Sequence, residues 1–432
     1  MMAGRRPRPM RARVAQVAAL VLSADAQNSD SQHEALRPPM PQVPAAAHVF
    51  AYADEFTVTM CHLARSVEAA GGWLHVLGLR DGRSFRLPWG DLGWSGSATR
   101  DDEPWHIADK ELFLKKHVFL ARAIRSLPPN ATVVFVDAFD VLFQRPLSDL
   151  VAEYQQIASA AASQVPGAPL PVVYSGERNC WPFPHQGQFS LGRRIPSTGS
   201  SGGQGHQHQI PADAFLSAGH NGQKHYPCGD RSPWSVLGRD VCQEWFFTQL
   251  GESEGSRKAP QFPFLCSGAS VGSVSSLRRL YKHLFRLYRE TGEYHDQALL
   301  TLLLLRNQSL GTVDTEGRLF LGLHGHDEQE DLERPLCRGN HFERQSGAAL
   351  KGNGGSLSAT QYLSLDNFRV APLKGRLASS APAVLHFNGN GKRHLQRCVE
   401  EFRAEGILGG QGEDFAECRF FDVDRLEWQQ FR

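Results

Sequence analysis

Residues 132–136 read Thr-Val-Val-Phe-Val, an unbroken β-branched and apolar run with no polar alternation. A strand of this kind must be covered on both faces, which predicts the interior of a mostly parallel sheet packed between helices. Its neighbours agree. Strand-like segments over 49–52, 73–79 and 171–175 alternate with helical patterns over about 56–70, 109–127 and 147–163. Gly71-Gly72 ends the first helix and Pro128-Pro129 the second. Alternation of strand and helix is the α/β signature. Further along, 264–271 and 383–387 read as strands, and helices are expected from Ser275 or Ser276 and over about 296–305.

The 432 residues carry a formal net charge of +1, with no basic stripe of the kind that binds nucleic acid. Arg5, Arg6, Arg8, Arg11 and Arg13 precede a short apolar stretch and Ala24-Asp25-Ala26, so 1–26 reads as a signal peptide and 27–46 as a Pro-rich linker. An Arg-rich, acid-free start also suits an organellar transit peptide. Secretion implies the lumen of the endoplasmic reticulum or Golgi, or export. No other run approaches the ~18 apolar residues that span a bilayer, so the mature chain is expected to have no membrane span. Residues 47–432 then form one domain, with Gly-, Gln-, His- and Ser-rich insertions at about 185–224 and 346–360 that are expected to have little fixed structure. Eight cysteines suit an oxidising compartment, but their pairing and the oligomeric state are open at this level. Sequons begin at Asn130 and Asn307.

Ligands of open α/β sheets collect beyond the carboxyl ends of the strands. There the apolar run delivers Asp137-Ala138-Phe139-Asp140. Two carboxylates at such an edge call for a compensating charge, as a divalent cation bridging to a diphosphate would supply. The plainer alternative is a loop cap at Asp137 and a solvated Asp140. A second strand end carries His386, followed by Asn388, Gly389, Gly391 and Lys392. Glycines admit backbone N–H groups to phosphate oxygens, and a lysine adds a point charge. Two carboxylates and an imidazole favour Mn²⁺ over Mg²⁺, which prefers oxygen alone.

The segment Val134-Phe-Val-Asp-Ala-Phe-Asp-Val-Leu-Phe143 resembles the metal motif of the glycosyltransferase domain of procollagen lysyl hydroxylases and related collagen glycosyltransferases. In the same order follow counterparts of other family segments. They are the helix with Lys110 and Leu114-Lys-Lys116, Tyr174-Ser-Gly-Glu-Arg-Asn-Cys-Trp-Pro182, Phe264-Leu-Cys-Ser-Gly-Ala-Ser-Val-Gly272, Asp296-Gln297, and His386-Phe-Asn-Gly-Asn-Gly-Lys392. The resemblance implies a GT-A fold and Mn²⁺ on Asp137, Asp140 and His386. It implies a UDP-sugar donor, UDP-glucose or UDP-galactose, whose uracil stacks on Phe139 and whose diphosphate faces Lys110 and Lys392. Trp181, Ser267, Gly268, Asn388, Gly389 and Gly391 would complete the donor site. Glu177, Asp296 and Gln297 would lie at the transferred sugar and a hydroxyl acceptor on a protein or glycan, such as hydroxylysine or galactosyl-hydroxylysine of a collagen-like protein.

The chain also departs from the pattern. Cys266 stands for an asparagine, His295 for the first aspartate of Asp-Asp-Gln, Ala269 for a glycine, Gly176 for an alanine and Phe113 for a tryptophan. These changes fall on the sugar and acceptor side, which opens a second reading: a nucleotide-sugar-binding protein without turnover. A third reading takes His341, Glu343, His386 and Arg393 as a loose imitation of the iron and 2-oxoglutarate hydroxylase triad.

Overall fold

A computed structural model of the chain describes residues 47–80, 104–163, 169–183, 188–190, 235–250, 260–291, 295–324, 382–404, 406, 408 and 418–431; for 104–112, 188–190, 235–239, 247, 250, 289–291, 430 and 431 it describes the backbone alone. The expected signal peptide and linker, the second insertion, and most of the first lie outside these residues.

In chain order the elements are β1 (His48–Tyr52), α1 (Val58–Ala69), β2 (Leu74–Leu77), α2 (Pro104–Ala123), β3 (Thr132–Asp137), β4 (Val141–Phe143), α3 (Leu147–Ala162) and β5 (Val172–Glu177). There follow β6 (Gln188–Ser190), β7 (Ser235–Leu237), α4 (Gly238–Leu250), β8 (Phe264–Ser273), α5 (Val274–Thr291) and α6 (Asp296–Arg306). The last are β9 (Gly311–Asp314), β10 (Phe320–Gly322), β11 (Val384–His386), α7 (Leu395–Ala404), β12 (Cys418–Asp422) and β13 (Glu427–Phe431). The fold is α/β, a large and mostly parallel sheet flanked by helices, as expected.

The main sheet runs β13-β12-β2-β1-β3-β8-β5-β10-β11-β4, with β9 on β5 as a fork. Strand β3 lies in its interior and Val133–Val136 are buried, which accounts for the lack of alternation in the sequence. Strand β8 runs antiparallel between β3 and β5, a reversal that periodicity alone does not reveal. The N-terminal half of α2 starts earlier than the helical spacing suggests, at Pro104, a residue suited to the first helical turn. The β12–β13 ribbon, β4, β9, β10 and α4 are too short or too weakly patterned to be read ahead of the structure, and the amphipathic α7 was missed. Within the first insertion, Gln188–Ser190 pairs antiparallel with Ser235–Leu237 as a separate two-stranded sheet. At least that part of the insertion is ordered, because an apolar Phe189 between polar neighbours suits a short edge pair.

The path of the sheet decides where chemistry can occur. Five strand-to-strand steps separate β3 from β4 in the order above, about 24 Å if the sheet were flat. Yet only residues 138–140 connect them, a reach of about 14 Å. The sheet therefore curls, bringing the end of β3 against β11, the partner of β4. Phe387 N donates to Asp140 O at 2.7 Å across this seam. Inside the curl, Leu142, Phe262, Leu321, Leu385 and Phe387 pack with Val399 and Phe402 of α7 in a cluster of their own. The larger core joins β1–β3 to α1 and α3.

Disulfides join Cys61 to Cys418 and Cys180 to Cys242, and Cys398 is also disulfide-bonded. Among the described residues no helix is long and apolar enough to cross a membrane.

Candidate metal centre

Three ligand-bearing side chains meet at the seam. Asp137 closes β3, Asp140 precedes β4, and His386 closes β11 opposite Val141. One ligand atom from each lies within 4.8 Å of the others. His386 Nε2 stands 3.6 Å from Asp137 Oδ2 and 3.6 Å from Asp140 Oδ1. Both distances are too long for a hydrogen bond, and Nε2 is buried without one. A buried ring nitrogen equidistant from two carboxylates and bonded to neither is the arrangement that a cation between them would satisfy. Gly268 keeps that space open. A Cβ there would sit 2.5 Å from Asp137 Oδ2 and 2.8 Å from His386 Nε2, so any other residue would fill the gap.

Two lysines flank the carboxylates. Lys116 Nζ, on the buried face of α2, reaches Asp137 Oδ1 at 3.2 Å, Asp296 Oδ2 at 3.0 Å and Ser267 O at 3.4 Å. Lys392 Nζ lies 3.5 Å from Asp140 Oδ2, on a side chain that is 63% exposed and can turn to a ligand. Burial presses the Asp137 carboxyl upward, but Lys116 and then His386 outweigh it and hold it at about 2. Asp140 is pushed up, chiefly by burial, and the charge of Asp137 adds to this. Burial alone would lower His386, yet Cys266 and the two aspartates carry it well above its ordinary range. A cation on Nε2 therefore competes with a proton that this setting favours.

Next to this cluster is a second, amide-linked one. Gln297 Nε2 donates to Glu177 Oε1 at 2.5 Å and to Trp181 O at 2.7 Å, while its Oε1 accepts from Ser267 N at 3.3 Å. Asn388 Nδ2 donates to Glu177 Oε2 at 3.0 Å, and its Oδ1 accepts from His324 N at 2.9 Å. Glu177 is thus held from both sides, and burial pushes its carboxyl up to about 8 against these two donors. Trp181 is 61% exposed beside it and meets His295 edge-on, with ring centroids 6.1 Å apart.

The remaining expected site residues divide. Phe139 is half-buried against the main core. Gly268 faces the metal cluster, while Ser267 adjoins it through its backbone, its O accepting from Lys116 and its N donating to Gln297. Asp296 is 1% exposed, forms an ion pair with Lys116 and is hydrogen-bonded to His117, whose Nε2 is 3.1 Å away. Burial presses its carboxyl up, but the charge of Lys116 and the hydrogen bond with His117 hold it far below the carboxylate range. Gly391 N donates to Asn388 O at 2.9 Å, and a Cβ on Gly391 would press 2.8 Å from Leu323 Cβ. Gly389 has φ +53° and packs on the His324 ring. Packing against residues 323–324 thus explains both glycines. Lys110 lies on α2, with its side chain outside the described residues. His341 and Glu343 lie outside the described residues, while His386 sits with the aspartates.

Sequence reasoning missed Lys116 and His117 as site residues. In Leu114-Lys-Lys-His117 nothing marks one lysine as buried, and only the opposing Asp296 reveals it. Gly176, where the family resemblance expects alanine, has Phe262 O 2.5 Å from its missing Cβ; no side chain fits there.

No protein-family model matches the chain, and no curated protein sequence matches it. Among solved structures, the apo structure of WbbM, a bifunctional glycosyltransferase, is similar in fold over 85% of this chain, with a TM-score of 0.35 and 12% identity. This chain spans 50% of that one. The chemistry of the site has to be read from its own geometry.

Proposed function

We propose that the chain is a Mn²⁺-dependent glycosyltransferase of GT-A type that moves a hexose, glucose or galactose, from a UDP-sugar to a hydroxyl acceptor. The observation that carries this is the unbonded, buried Nε2 of His386 facing Asp137 and Asp140 across a space kept clear by Gly268. Asp137, Asp140 and His386 would hold the ion, and the mixed N/O donor set suits Mn²⁺. When bound, the ion would supply charge to neutralise the departing nucleotide diphosphate.

The chain's own groups complete the task. Lys392 is exposed and next to Asp140, so it can leave the carboxylate for a phosphate oxygen. That contact strengthens as negative charge develops on the leaving group. Phe139 offers a half-buried ring face for a base, and Trp181 an exposed one for a sugar. Glu177, locked in place by Gln297 and Asn388, is the carboxyl best placed to orient a sugar or acceptor hydroxyl. Lys116 holds Asp137 in its ionised form, ready to ligate.

The resemblance to the collagen glycosyltransferase family supports a hydroxylysine or galactosyl-hydroxylysine acceptor. The disulfides support synthesis in the secretory pathway. The buried pairing of Asp296 with Lys116 favours one rival, a protein that binds the nucleotide sugar without turnover. A donor screen decides between them: UDP-glucose and UDP-galactose with Mn²⁺, with and without hydroxylysine peptides, comparing wild type with Asp140→Ala. We expect EDTA-sensitive UDP release that the variant lacks. Tight binding with no cleavage would leave the rival standing, and equal activity in the variant would remove the proposed site.

A further inference from the structure

Cys266 is the one free cysteine among the described residues; it lies on β8 and is 4% exposed. Its Sγ is 3.6 Å from His386 Nδ1 and 3.7 Å from Asn388 Nδ2. These contacts place the sulfur behind the imidazole, on the side away from the two aspartates. A neutral imidazole has one N–H and one lone pair, and the partner of the outward nitrogen decides which atom is left to bind a cation. Nε2 faces the carboxylates, so Nδ1 must carry the hydrogen. That hydrogen needs an acceptor, and in a buried setting an orphaned N–H is costly.

Resting on the metal reading above, we propose that Cys266 is a positioning residue for His386, accepting its Nδ1–H so that Nε2 is the ligand atom and the ring stays aimed between Asp137 and Asp140. Asn388 restrains the sulfur from the other side, and its own carbonyl is fixed by His324 N. Cys266 and Gly268 both meet the His386 ring, Sγ at Nδ1 and the Cβ position of Gly268 at Nε2, where β8 shifts register against β5. Strand β8 thereby provides an acceptor behind the ring and an empty space in front of it. The replacement that resemblance places on the sugar side belongs to the support of the metal ligand. Partners of ligating imidazoles of this kind change metal affinity by about 10- to 100-fold when removed.

The test is Mn²⁺ affinity of the full-length protein after EDTA treatment, read from free Mn²⁺ by electron paramagnetic resonance, with no turnover involved. Cys266→Ala should weaken binding about tenfold, while Cys266→Ser, which keeps an acceptor, should stay within about threefold of wild type. A packing role predicts the opposite order, because a buried hydroxyl is a poorer apolar filler than a methyl. Cys266→Ala binding as tightly as wild type, or Cys266→Ser losing as much as Cys266→Ala, overturns the role of Cys266 alone. Wild-type protein that binds no Mn²⁺ sinks the metal reading itself, and this inference with it.

Discussion

Lys116 and Asp296 form a buried ion pair, Nζ to Oδ2 at 3.0 Å, whose cation also bonds Asp137. The pair links α2 and the start of α6 to the metal cluster. Breaking one partner of such a pair leaves a charge buried without compensation, at about 3–5 kcal/mol. Lys116→Met should therefore lower the urea midpoint by a corresponding amount. A variant as stable as wild type would show that water already screens the pair.

Gly268→Ala should leave the fold in place and remove the metal. The added methyl would occupy the space between His386 and Asp137, with a stability cost of about 1–3 kcal/mol from overpacking. Calorimetric titration with Mn²⁺ should show at least a tenfold loss of affinity in a protein that still melts cooperatively. Unchanged affinity would mean that the cation site lies elsewhere.

Metal binding should strengthen with rising pH. His386 holds its proton above the ordinary range, so Mn²⁺ must expel it. We expect weaker binding at pH 6 than at pH 8 and net proton release, visible when titrations are repeated in buffers of different ionisation enthalpy. For the metal-free protein the linkage has the opposite sense. Both His386 and Glu177 have raised values, so their contribution is fully present below the unfolded values and is lost as pH rises. For Glu177 the window runs from 4.5 to about 8. Thermal stability with EDTA should fall across it, and Glu177→Gln should flatten the slope.

Trp181→Ala should separate binding from stability. The ring is 61% exposed, so the melting temperature should barely move, within about 0.5 kcal/mol. If the ring walls the sugar site, kcat/KM should drop by about tenfold. Equal kinetics would remove it from the site.

These outcomes depend on features of unequal visibility. Strand β3 and its two aspartates were legible because a long apolar run has to be buried, and carboxylates at its end then meet the open edge of a sheet. His386 was legible through its strand end and its Asn-Gly-Asn-Gly-Lys tail, whose glycines also pack on 323–324. Nothing in the sequence marked Lys116 as buried, since a lysine on a helix reads as solvated until its partner, 180 residues on, is placed beside it. Likewise the contact between Cys266 and His386 joins β8 to β11, a proximity created by the curl of the sheet and carried by no local pattern. Short elements such as β12 and β13 were illegible because a few residues give no periodicity to count.

The tie between Cys61 and Cys418 spans 357 residues, and strand β2, just after the first of these, takes β12 as its outer neighbour. During vectorial synthesis β1 and β2 emerge well before β12, so one flank of β2 waits for a strand made much later. Until then a row of backbone donors and acceptors stands open to any passing strand. That open flank closes only when β12 arrives, and the sulfurs then lock it.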